Sequence, residues 1–204
     1  RHFNLFREAL AWTDHLICYA VKANSNLAVL KLLGAMGAGM DVVSGGEYAR
    51  ARAAGVPGDR IVFSGVGKTR EEMRLALEGG IRQFNLESEP EMRALSALAA
   101  SMGATVPVAV RVNPDVDART HPYISTGLKG NKFGVAHGQA LSLYRHAAGL
   151  AGLQVVGIDC LGMDERCVAP NGRRIQVKAR HYVLAGGGIN TPGILLRSAA
   201  PDPH

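Results

Sequence analysis

Lys22 directly follows an apolar run, Ile17 to Val21, and a lysine at the carboxyl end of a buried strand brings a nucleophilic amine to the rim of a sheet. An amine that is uncharged part of the time can hold a carbonyl carbon as a Schiff base. That requires a desolvating or cationic neighbourhood to lower its pKa. On position alone the alternative is a solvated surface charge. Two carboxylates, Asp41 and Glu47, lie at the junction after a second apolar run at Met40 to Val43, and there they read equally well as helix-start acids that complement the dipole. Arg111 falls within a fifth run, Val108 to Val112. A cation on an interior strand needs a partner, either a ligand or a structural ion pair. His121, in a Pro-containing loop, reads as polar surface. Gly45, Gly46, Gly65 and Gly67 either cradle a phosphate or let the chain turn sharply. Cys18, Cys160 and Cys167 make neither an even disulfide framework nor closely spaced metal-ligand couples, so no metal is expected and a reducing compartment fits.

The elements that must carry these residues alternate along the chain. Six short apolar strands are predicted at 17–21, 40–43, 61–64, 83–86, 108–112 and 155–159, with amphipathic segments between them, which is the pattern of βα units around a parallel sheet. Thr69 with Glu72 and Ser88 with Glu91 have the capping-box spacing, and Pro90 falls in a first helical turn, where its missing N–H is harmless. Gly37, Gly55, Gly79 and Gly103 mark helix ends. Lys22-Ala23-Asn24-Ser25-Asn26 after the first strand contains no glycine, which argues against a dinucleotide fingerprint and for a (β/α)8 barrel. A further helix is expected from Phe3 to Trp12.

With 47% hydrophobic and 20% charged residues, the 204-residue chain has an ordinary globular composition and needs no disordered tail. Its formal charge of +6 comes from lysines and arginines spread along the chain, without a basic arm or interleaved aromatics, so nucleic-acid binding is not expected. No stretch is long and apolar enough for a membrane span, and Arg1-His2-Phe3-Asn4 lacks a signal-peptide layout. A cytoplasmic piece of a longer enzyme is the expectation.

The run Tyr19-Ala20-Val21-Lys22-Ala23-Asn24 resembles the cofactor-lysine motif of the alanine-racemase-like and ornithine/diaminopimelate decarboxylase enzymes of pyridoxal phosphate. The segments Asp41-Val42-Val43-Ser44-Gly45-Gly46-Glu47, Phe63 to Thr69, Phe84-Asn85-Leu86-Glu87-Ser88 and Arg111-Val112-Asn113-Pro114 follow in that family's order. His121 to Gly127 and Lys132-Phe133-Gly134 are similar to the diaminopimelate decarboxylase branch in particular, and the resemblance spans residues 14–160. It implies an incomplete (β/α)8 TIM-type barrel of the alanine-racemase-like class, with pyridoxal 5′-phosphate bound through a Schiff base on Lys22. It further implies that meso-diaminopimelate is decarboxylated to L-lysine, that Asp41 and Glu47 support lysine and cofactor from below, and that Arg111 positions the ring. The partner is then a small amino-acid substrate. The family's site forms between two subunits, whose dimerising β-domain has no counterpart here.

After Cys160 the sequence departs from that family. Leu161-Gly162-Met163-Asp164 stands where a His-Ile-Gly-Ser type segment is expected, and the later glycine loop, the Glu-Pro-Gly-Arg type motif and the terminal catalytic cysteine are absent. Two extended segments at 167–169 and 173–179 are predicted to flank a Pro170-Asn171-Gly172 turn. Tyr182 to Pro192 with Leu195 to Ser198, a strand and short helix, resembles part of the glucose-methanol-choline flavin oxidoreductases, and so does that hairpin. The expected organisation is thus a partial pyridoxal-phosphate-binding barrel at 1–160 and a flavoenzyme-like tail at 161–204. Little or no turnover is expected. The alternatives are a non-catalytic pyridoxal-phosphate-binding barrel module and an inert fusion remnant.

Overall fold

Short apolar runs separated by amphipathic segments assemble as five consecutive βα units and a sixth strand. The structure is a computed structural model, and it describes residues 2–12, 14–113, 134–155, 160–163 and 170–175. The chain divides into two units, Leu16–Val156 and the two ends Arg1–His15 with Gly157–His204. In chain order the elements are helix α1 (His2–Ala9), strand β1 (Cys18–Ala20), a 3₁₀ turn (Val21–Ala23), α2 (Leu27–Ala35), β2 (Gly39–Val42), α3 (Gly45–Ala53), β3 (Ile61–Phe63), α4 (Arg70–Glu78), β4 (Gln83–Leu86), α5 (Glu89–Ser101), β5 (Val106–Val110), β6 (Val112–Asn113), β7 (Val135–Ala136), α6 (His137–Ala148), β8 (Leu153–Val155), β9 (Cys160–Met163) and β10 (Pro170–Ile175).

Strands β1, β2, β3, β4, β5 and β8 form one parallel sheet in that order, each beside its predecessor, and β6 and β7 add a short parallel ladder. This is an incomplete α/β barrel, as the sequence implied. Register sorts the side chains by face: Ala20 stands beside Asp41, Asp41 beside Val62, Val62 beside Gln83, and Asn85 beside Ala109. The alternate positions, among them Met40, Val42, Ile61, Phe63, Phe84, Leu86, Val108 and Val110, are buried against the helices. Phe63 and Phe84 stack there with ring centroids 5.8 Å apart. The sheet therefore has one apolar face and one face of small and polar residues, where apolar strands covered on both sides were expected. From α5, Met92, Leu95, Leu98 and Ala99 join the core at three- and four-residue spacing, each large side chain contributing about 1.5–3 kcal/mol by leaving water.

Several boundaries differ from the sequence expectation. The fifth strand begins at Val106, because Gly103 already reverses the chain after α5 at φ +64°. The sixth occupies Leu153–Val155 rather than 155–159, with Val106 N–H donating to the Gly152 carbonyl at 3.0 Å, and residues 156–159 lie outside the described residues. Gly79 keeps φ −81° as the residue that caps the end of α4, and Gly80 takes the left-handed position at φ +67°. Gly79 is required for space, since a Cβ there would lie 1.8 Å from the Tyr48 hydroxyl. Helix α1 ends at Ala9, short of Trp12.

In the other unit β9 and β10 are antiparallel, so a hairpin forms, but Pro170-Asn171-Gly172 lies inside β10 and is not its turn. The register shifts between Pro170 and Arg174, and a strand's first residue and a bulge are the places a sheet tolerates Pro and Gly. The predicted strand and helix at 182–198 lie outside the described residues, as do His121 and the segment from Pro114 to Phe133. No helix among the described residues is long and apolar enough to cross a membrane.

Gly58 opens the 3₁₀ turn before β3 and meets the end of α4 so closely that a Cβ would fall 1.9 Å from the Gly79 carbonyl oxygen. Gly58→Ala is expected to lower unfolding stability by about 2–3 kcal/mol, read as a lower urea midpoint at unchanged slope. An unchanged midpoint would refute the close packing.

Candidate active site at the carboxyl ends of the strands

Parallel strands deliver their carboxyl ends to one side of the sheet, and the polar face places its titratable groups there. Lys22 occupies the 3₁₀ turn that ends β1; its neighbour Val21 is fully buried, whereas Lys22 is exposed. Asp41 lies on β2 beside Ala20. Its Oδ1 accepts the Ser64 hydroxyl at 2.6 Å, Ser64 Oγ accepts Asn85 Nδ2 at 2.9 Å, and Asn85 Oδ1 accepts Gln83 Nε2 at 2.7 Å. Ser64 continues the ladder beyond β3, its N–H donating to the Val42 carbonyl at 2.8 Å, so the bonded side chains share one face. Burial pushes the Asp41 carboxyl above its ordinary range and Glu47 adds to this. The Ser64 hydrogen bond, Lys22 and Arg111 draw it back. Lys22, Glu47 and Arg111, the other three residues singled out from the sequence, are thus all close enough to act on Asp41.

Glu47 also has a local task. Its Oε2 accepts the Val43 N–H at 2.8 Å, and its own N–H donates to Ser44 Oγ at 3.2 Å, fixing the start of α3. Arg111 N–H extends the β5 ladder to the Leu86 carbonyl at 2.8 Å, and its guanidinium pairs with Glu87 Oε1 at 3.0 Å. The Glu87 side chain is only 2% exposed and also accepts Gly65 N–H at 3.2 Å and Gly134 N–H at 2.9 Å. Of the glycines singled out, Gly65 and Gly45 thus donate to carboxylates within the chain, Gly45 to Glu72 Oε1 at 2.6 Å.

Lys68 is the centre of the loop after β3. Its side chain has no exposed surface, and its Nζ donates to the Gly65 carbonyl at 2.7 Å, the Asn85 carbonyl at 2.7 Å and Glu91 Oε1 at 2.6 Å. Three acceptors match the three ammonium donors. Glu91 completes the knot by accepting Glu87 N–H on Oε2 at 2.9 Å. The box expected at Ser88 and Glu91 is therefore half formed: Ser88 accepts from Glu91 N–H, while the Glu91 carboxylate turns to Lys68 and Glu87. At Thr69 and Glu72 the full box is present. A cleft of about 300 Å³ opens beside Glu87, Ser88 and Gly134, and neither Lys22 nor Asp41 lines it.

Sequence reasoning missed Ser64, Lys68, Asn85, Glu87 and Glu91 as members of this site. The signal was the alternation Gln83-Phe84-Asn85-Leu86-Glu87, in which every second residue is polar and must share Asp41's face.

A family model described as pyridoxal-dependent decarboxylase, pyridoxal binding domain, matches residues 1–161. A diaminopimelate decarboxylase of Pseudomonas fluorescens is 57% identical over 159 residues, which cover 78% of this chain and 38% of the relative. That of Vibrio cholerae is 52% identical over 171 residues, 83% of this chain and 41% of the relative. The solved diaminopimelate decarboxylase from Helicobacter pylori complexed with L-lysine matches at TM-score 0.73 and 47% identity, over 76% of this chain and 39% of that one. The chain spans less than half the length of these relatives.

The Lys68–Glu91 pair is buried on both sides, so removing one partner strands the other. Lys68→Met is expected to cost about 3–5 kcal/mol in urea unfolding, and Lys68→Met with Glu91→Met to cost less than the sum of the two single changes. Additive costs would exclude the pairing. Burial, helped by Asp41 and opposed by Arg82, pushes the Cys18 thiol up to about 12. Alkylation of Cys18 at pH 8, followed by peptide mass spectrometry, should be at least about 100-fold slower in the folded chain than after denaturation.

Proposed function

The chain belongs to the pyridoxal-dependent decarboxylases and carries their pyridoxal-binding domain over residues 1–161, and from that premise we propose that it is the amino-terminal part of an enzyme that decarboxylates meso-diaminopimelate to L-lysine, with Lys22 holding pyridoxal 5′-phosphate. One observation carries the reading. Lys22, Glu47 and Arg111, from three other elements, all act electrostatically on Asp41, whose carboxylate is fixed on the polar face of the sheet by Ser64 at 2.6 Å. The identity to diaminopimelate decarboxylases over most of the chain supports the choice of substrate.

The donor set fits the cofactor. Lys22 offers an exposed amine to an aldehyde carbon at the mouth of the barrel, and Arg111, whose side chain is 40% exposed, sets a cation on the same face for an anionic ligand. When bound, pyridoxal phosphate supplies an electron sink for the pair left behind as carbon dioxide departs. The chain's own residues hold and move protons around that event. Asp41, its carboxylate engaged by Ser64, is suited to accept a hydrogen bond from the Lys22 amine and so to orient it. Glu47 fixes the end of β2 through Val43 N–H and so fixes where Asp41 stands. Glu87 anchors Arg111 against the loops at Gly65 and Gly134. The reading takes residues 161–204 as a separate flavoenzyme-like tail, turnover by this chain as low, the location as cytoplasmic, and the partner as a small amino acid.

An absorbance spectrum of the purified chain with added pyridoxal 5′-phosphate, before and after borohydride, tests this. A reducible Schiff-base band that disappears in Lys22→Ala is expected. A spectrum identical in the two chains would sink the reading.

A further inference from the structure

Asp41 stands at the end of a chain of hydrogen bonds that runs in one direction. Gln83, 3% exposed, donates through Nε2 to Asn85; Asn85 donates through Nδ2 to Ser64; Ser64 donates to Asp41. An amide N–H can only donate and an ionised carboxylate can only accept, while a hydroxyl does each once in such a chain. With Asn85 on the Ser64 oxygen, the single Ser64 hydrogen is directed to Asp41. The 2.6 Å separation lies in the range of a charge-assisted O–H···O⁻ contact. A protonated Asp41 that brought its own hydrogen to this contact would turn the Ser64 hydrogen away and break the sequence of donors.

We propose that Ser64 and Asn85 are positioning residues that, through this one-way relay anchored at Gln83, hold Asp41 as an oriented carboxylate beside Lys22. The relay spans three neighbouring strands on one face, so its geometry is set by the sheet register and not by loop conformation. It deepens the reading of Lys22 as the cofactor lysine, on which its purpose rests. The charged and titratable groups that face Asp41 are Cys18 from β1, Lys22 from the turn after it, Glu47 from α3 and Arg111 beyond β5. Lys22 and Arg111 favour the carboxylate and Glu47 opposes it. The relay adds a neutral donor that keeps Oδ1 engaged and leaves Oδ2 outside the relay.

The test is a carboxyl-carbon NMR titration of Asp41 in the complete chain without cofactor, together with the pH dependence of Lys22 acetylation. Ser64→Ala is expected to raise the Asp41 midpoint by about one pH unit and Asn85→Ala by less, while Ser64→Thr stays within about 0.3 unit of the unmodified chain. Ser64→Ala should also move the Lys22 midpoint, but not in a chain already carrying Asp41→Asn. An unmodified chain whose Asp41 midpoint lies above neutrality would overturn the proposal, because Asp41 would then not be held as a carboxylate; this outcome needs no variant to fold. An Asp41 midpoint unmoved by Ser64→Ala, or a Lys22 shift that persists with Asp41→Asn, would also overturn it. These titrations with no Lys22-dependent cofactor band would uphold the relay and reject the cofactor reading.

Discussion

An ammonium with no exposed surface must place all three of its N–H donors on protein acceptors, and the mouth of this barrel is arranged around that requirement at Lys68. Its acceptors come from its own loop, from the backbone at the end of β4, and from the first turn of α5. The loop after β3 is thereby held with the Gly65 N–H on Glu87, and Glu87 is the residue that pairs with Arg111. Asn85, whose carbonyl receives Lys68, is also the relay residue whose side chain reaches Ser64. Two chains of interaction, one ending at Arg111 and one at Asp41, thus meet at a single buried charge. Leaving that charge unpaired costs far more than any one of its hydrogen bonds contributes, so the geometry of the mouth tolerates little variation.

The same device recurs on successive units in a weaker form. Ser44 with Glu47, Thr69 with Glu72, and Ser88 with Glu91 all begin helices, and in each the hydroxyl accepts the glutamate's own N–H. The carboxylates diverge: Glu47 closes on Val43 in its own loop, Glu72 reaches back to Gly45 in the preceding unit, and Glu91 reaches back to Lys68. A local cap worth about 1 kcal/mol becomes a tie between neighbouring units wherever the glutamate leaves its own loop. Thr69 and Gly45 hold Glu72 below the usual carboxylate range, mainly through the Thr69 N–H, which keeps that tie ionised.

The sequence made the units legible because apolar runs and helix starts are local signals. Every strand of the parallel sheet begins within two residues of its expected start; Lys22 and Arg111 lie just beyond β1 and β5, Asp41 lies within β2, and Glu47 lies in the first turn of α3. What could not be read was which polar residues pair. Glu87 and Lys68 lie inside quoted motifs, yet their partners, Arg111 and Glu91, are more than twenty positions away and are brought close only by register. The Pro170-Asn171-Gly172 turn failed for a related reason: the tripeptide is a strong local turn signal, but pairing with β9 absorbs it into a strand as a bulge.

Each strand of the main sheet pairs with the sheet strand before it in the chain, so every ladder closes over a single intervening segment. The interacting set from Lys22 to Arg111 occupies one continuous stretch of chain. Such a block can be inherited whole: a break in the gene placed beyond it leaves these mutual contacts undivided.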